Sequence, residues 1–139
     1  MNLSPDMQKR FIDEVNFVIK NMKNTDNPTE KLYFFSAGYA MAQRIINLEY
    51  EPELAFIQQV LQLVYNMVNA RLLAMSMRQE AGVSIPDGLF SSLEEALEEM
   101  VDRIEQGVET YPALQKMVNL AYSTTGNGYY LYLKGMIKI

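Results

Sequence analysis

The chain has 139 residues and contains no His, no Cys and no Trp. Without Cys there are no disulfides, thiolate metal sites or Cys nucleophiles, and without His the commonest general base and transition-metal ligand are gone. The net charge is −5 and Lys9-Arg10 is the only adjacent basic pair, so the clustered positive charge that direct nucleic-acid or anionic-membrane binding requires is missing.

A chain of this length predicts a single domain, 1–139, able to bury about two thirds of its unfolded surface. The absence of Cys and of a secretory signal in Met1-Asn2-Leu3-Ser4-Pro5-Asp6 leads to the expectation of a cytoplasmic protein. The longest uncharged runs, 54–70 and 117–133, are interrupted by amides or by Ser123-Thr124-Thr125-Gly126-Asn127-Gly128, too polar for a bilayer span.

Prolines punctuate the helices, because the first helical turn needs no N–H and suits the fixed φ. Helix 1 is predicted from Pro5 to about Lys23, with Ser4 as cap and a buried face of Phe11, Val15, Phe17, Val18, Ile19 and Met22. Helix 2 opens at Asn27-Pro28-Thr29-Glu30, where Asn27 caps and Glu30 reaches back in a capping box. Its body is aromatic and small by turns, and its apolar positions continue to Leu48. Helix 3 is predicted from Pro52 to about Ala81, ending at Gly82. Its apolar arc of about 200° includes Leu54, Ile57, Leu61, Leu63, Val64 and Val68, as expected of a helix at the centre of a bundle.

Helix 4 is expected to be capped by Ser91 or Ser92 and terminated by Gly107, with Leu93, Leu97, Met100, Val101 and Ile104 on one stripe. Helix 5 starts near Thr110 or Pro112 and should fail across 123–128. The tail, 129–139, fits a helical stripe better than strand alternation, since a lone strand leaves its ladder groups unpaired. The predicted fold is therefore an all-α antiparallel bundle of five helices, or six with the tail, around a long central third helix.

Four constellations invite a functional reading. Glu94-Glu95-Ala96-Leu97-Glu98 resembles the Glu-Glu-x-x-Glu pattern with which all-helical nucleotide pyrophosphohydrolases bind magnesium. That likeness implies a metal site at Glu95, Glu98, Glu99 and Asp102. In that family a Glu-x-x-Asp comes from a second helix, whereas Glu99-Met100-Val101-Asp102 continues the same one. The simpler reading is a solvated face opposite the apolar stripe.

Tyr33, Phe34 and Tyr39 belong to an aromatic run that points in several directions around helix 2, so part of it packs and part is free to meet a partner. Gln58, Gln62, Asn66 and Asn69 form a neutral polar stripe on helix 3. It either faces solvent or is buried with its amides hydrogen-bonded, in the way a buried Asn fixes register at a two-fold axis. Tyr129, Tyr130 and Tyr132 crowd the tail, where Tyr supplies large contact area with a polar tip.

With no readable nucleophile–base pair and more apolar face than one layer needs, the expected function is a non-enzymatic protein–protein interaction module. It would be a small acidic adaptor, or a chaperone-like or inhibitor-like subunit, working as a homodimer without a cofactor. The alternative is a metal-dependent phosphohydrolase-like or small-ligand-binding bundle using the helix 4 carboxylates.

Overall fold

The computed structural model describes residues 1–78 and 85–136. Six helices account for most of them: α1 (Pro5–Lys23), α2 (Pro28–Leu48), α3 (Pro52–Arg78), α4 (Leu89–Gln106), α5 (Tyr111–Tyr122) and α6 (Gly126–Leu133). Four of the six begin at or one residue before a proline, as the ring's fixed φ requires.

The caps follow from short-range chemistry. Ser4 Oγ accepts from the Met7 N–H at the start of α1. Asn27 Oδ1 accepts from the Thr29 and Glu30 N–H groups at the start of α2. The reciprocal bond expected from Glu30 is replaced by a relay. The Thr25 hydroxyl donates to the Glu30 carboxylate at 2.6 Å and accepts from the Asn27 N–H at 3.2 Å. At α3 a carboxylate does the capping, with Glu51 Oε2 accepting from the Leu54 N–H at 2.9 Å.

Two boundaries differ from the sequence expectation. α4 begins at Leu89, with Gly88 at φ 78° as its cap, not at Ser91 or Ser92. Leu89 and Phe90 are both buried, so core packing draws an extra turn into the helix ahead of the serines. α6 begins at Gly126, inside the stretch expected to break the chain. The true interruption is 123–125, and the tail is helical as far as Leu133. The expected end of helix 3 at Ala81 and Gly82 lies outside the described residues.

The helices close into a ring. α1 lies against α2 and α4, α3 lies between α2 and α5, and α5 completes the circuit by packing on α4. Short loops at 24–27, 49–51 and 107–110 make α1/α2, α2/α3 and α4/α5 antiparallel. The α3/α5 pair is parallel. Glu53 in the first turn of α3 meets Thr110 at the start of α5, and Arg71 far along α3 meets Thr124 just past the end of α5. With α4 antiparallel to α5, α4 also runs opposite to α3.

Phe11, Met22, Leu32, Phe35, Leu54, Ile57, Leu61, Leu93, Met100 and Leu114 fill the ring's interior. Among the described residues, no helix is long and apolar enough to cross a membrane.

Candidate interaction surface

α3 is apolar on two opposite faces. Leu54, Ile57, Val60, Leu61, Val64 and Val68 point inward and are buried. On the far side lie Phe56, Leu63, Ala70 and Met77, seven residues apart, with Gln59, Asn66 and Leu73 between them. The steps alternate three and four, the spacing that makes a straight seam on a helix. All seven are exposed, with Phe56 at 47%, Leu63 at 45%, Leu73 at 52% and Met77 at 81%. No charged side chain occurs anywhere from Leu54 to Ala70. A solvated helix face ordinarily carries charge, and this one carries none.

Neighbouring elements border the seam. At its beginning, Tyr111 of α5 stands edge-on to Phe56 with ring centroids 5.5 Å apart. Further along, Ala70 and Ala74 share a recess with Thr125 and Gly126 of the α5–α6 turn. That turn is held firmly. The hydroxyls of Ser123, Thr124 and Thr125 donate back to the carbonyls of Leu120, Ala121 and Tyr122. Arg71 Nε donates to the Thr124 carbonyl at 2.6 Å. Thr125 Oγ1 then accepts from the Gly128 N–H at 3.0 Å, capping α6.

The neutral polar stripe divides along its length. Gln58 is 4% exposed and is satisfied locally, donating to Gln62 Oε1 at 2.9 Å and accepting from Gln59 Nε2 at 3.1 Å. Gln62 and Asn66 are exposed, and Asn69 is half-buried. Only Asn66 belongs to the outward seam proper, with Gln62 beside it. Leu63, placed by its pattern in the buried arc, belongs to the seam as well.

The aromatic residues also separate. Phe35 enters the core, Tyr33 is exposed and meets Phe34 edge-on, and Tyr39 packs on Tyr65 of α3 at 5.5 Å. Burial, reinforced by Tyr65, raises the Tyr39 phenol above its ordinary value. On α6, Tyr129 packs on Tyr132 at 6.0 Å, and Lys134 Nζ sits 5.5 Å from the ring centre of exposed Tyr130. Among the described residues, no ring contact joins the α2 aromatics to the α6 tyrosines.

The α4 carboxylates do not converge. Glu98 pairs with Lys23 of α1 at 2.5 Å. Glu99 pairs with Lys116 of α5 at 2.9 Å and with Arg103 one turn on at 3.5 Å. The hydrogen bond and charge of Lys116 hold the Glu99 carboxyl below its ordinary value. Glu95 and Asp102 are exposed. Among the described residues, no three carboxylates are grouped to hold a metal ion. Residues on one helix point along it, and each of the two central acids already has a cation.

Two further hollows lie between helices. One of about 360 Å³ between α4 and α5 is lined by Glu95, Glu99, Lys116 and Asn119. Another of about 560 Å³ between α1 and α2 is lined by Met7, Phe17, Met41 and Leu48 together with Arg10, Arg44, Asp13 and Glu14. Phe17, expected in the core, is more than half exposed here because α4 covers the other side of α1.

Three residues that organise the molecule escaped the pattern reading. Glu53 accepts from the Thr110 N–H and hydroxyl and pairs with the Met1 amine at 3.5 Å. Arg71 ties α3 to the end of α5. Glu94, 5% exposed, has its carboxyl raised by burial, with the Lys31 amine 3.9 Å away. No protein-family model, curated protein or solved structure matches the chain.

Proposed function

We propose that this protein is a non-enzymatic protein–protein interaction module, an adaptor or an inhibitor-like or chaperone-like subunit, that docks through the outward face of α3. One observation carries the reading: seven consecutive seam positions of α3 are exposed while none is charged. Interface centres are depleted of charge, and a three–four seam is the surface a helix offers to another helix. Among the described residues, the core-facing side chains of α3 lie on its opposite side, and Tyr111 borders the outward face at Phe56.

A photo-crosslinking amino acid at position 63, introduced in the cells that make the protein, tests the proposal. Adducts from position 63 and none from exposed Asp102 on α4 are the expected result. A position 63 probe that captures no protein would overturn the reading.

A further inference from the structure

We infer that the occupant of this face is a second copy of the same chain, its α3 lying antiparallel to the first. The inference rests on the interaction-module reading and names its partner.

Charge is the first argument. Two copies, each with net charge −5, repel across most of their surfaces. The seam is where they meet without opposing charges, since 54–70 contains none. Period is the second argument. A seam with alternating three and four spacing is complementary to a helix of the same spacing, and α3 itself supplies one.

The ends of the seam fix the direction. Glu49, Glu53 and exposed Glu109 outnumber the Met1 amine where the seam begins, whereas Arg71 stands in the last two turns of α3. A parallel pair sets acid on acid at one end and base on base at the other. An antiparallel pair sets each acidic end against the other copy's basic end. Full overlap then places Phe56 opposite Leu73 of the second copy and Gln59 opposite Ala70 of the second copy. Leu63 faces Asn66 of the second copy about the two-fold axis. In this register six of the seven seam positions face one another, Met77 falls opposite Pro52 of the second copy, and a large side chain faces a small one at the Gln59 layer.

The extent of the seam sets the strength. A helix of 27 residues is about 40 Å long, and a contact about 10 Å wide covers on the order of 400 Å² per copy. Even widened by Tyr111 and Gln62, this belongs with small, transient interfaces, so the dimer forms at micromolar concentration.

Sedimentation equilibrium of the full chain at rising micromolar concentration tests the inference. A reversible monomer–dimer equilibrium is expected, weakened at least about tenfold by Leu63→Glu. Because Leu63 is exposed, that variant should keep the parent's helical circular dichroism. Orientation is read by disulfide formation, unambiguous in a chain without Cys. Mixed Phe56→Cys and Leu73→Cys chains should link to each other faster than either links to itself.

A chain that stays monomeric at high micromolar concentration overturns the inference, and self-linking of Phe56→Cys alone overturns the orientation. The position 63 photo-adduct separates this failure from that of the docking reading. An adduct at twice 16.0 kDa supports the second copy. Adducts only at other masses leave the docking face standing and remove the second copy.

Discussion

Glu53 and Thr110, 57 positions apart, are joined by two hydrogen bonds to one carboxylate oxygen: the Thr110 hydroxyl donates at 2.7 Å and its N–H at 3.2 Å. Thr110 is fully buried and caps α5 without using its side chain on that helix. The bond pair fixes the start of α5 against the first turn of α3. Thr110→Val keeps the shape and removes the stronger donor, leaving a largely buried charge under-satisfied. The expected cost is about 2 kcal/mol, read as a thermal midpoint lowered by roughly 5 °C. An unchanged midpoint would show that water replaces the hydroxyl without loss.

Gly128 is where α6 turns back on α5. A Cβ there would overlap the carbonyl of Tyr122 and crowd Thr125 Oγ1. Gly128→Ala should therefore release α6 while leaving the five-helix ring intact. Limited proteolysis should cut the variant between 123 and 133 under conditions that spare the parent, with little change in the main thermal transition. Equal resistance in both proteins would count against the close approach.

Glycine elsewhere yields opposite signs. Gly107 ends α4 at φ 72° with open space around it, so Gly107→Ala meets only backbone strain of about 1 kcal/mol. Gly38 lies within α2, and a Cβ there would make an ordinary contact with Leu61 at 3.7 Å. Gly38→Ala should stabilise by about 0.5–1 kcal/mol through helix propensity. Denaturant midpoints that move in the same direction for both variants would contradict this account.

Two glutamates five residues apart on α4 should respond to pH in opposite ways. Burial raises the Glu94 carboxyl above 4.5, so the folded protein holds that proton more tightly than the unfolded chain. Ionising it therefore erodes stability as pH climbs from 4.5 through the raised folded value. Lys116 lowers the Glu99 carboxyl below 4.5. Its stabilising contribution is complete above 4.5 and disappears as pH falls through the lowered folded value. At pH 7, Glu94→Gln should raise the thermal midpoint and Glu99→Gln should lower it. Both differences from the parent should shrink toward acid, Glu94→Gln's by pH 4.5 and Glu99→Gln's at still lower pH.

The helices were largely legible because their signals are local. Pro5, Pro28 and Pro52 mark first turns, Ser4 and Asn27 cap, and Gly107 terminates α4, all within a few residues of the boundary. The start of α4 was not legible, because burial of Leu89 and Phe90 outweighs the serine caps. Glu53 and Arg71 gave no sign of their roles, since the partners lie 57 and 53 residues away. The outward seam was hidden by its neighbour. Two apolar faces on one helix merge into a single broad arc, and only the ring's geometry shows which half is covered. Its three–four spacing was nevertheless present in the letters from Phe56 to Met77.

The closure of α4 onto α1 also bears on how the molecule comes apart. A linear stack of helices has end units that fray one at a time, because each end has a single neighbour. In the circuit α1–α2–α3–α5–α4 every helix has two, so detaching any one exposes two apolar faces. The joint between α1 and α4 completes that circuit, and the Lys23–Glu98 pair at its edge is exposed enough for salt to screen. Loss of structure in the ring should then be one concerted event that added salt makes somewhat easier, with α6 alone free to leave early.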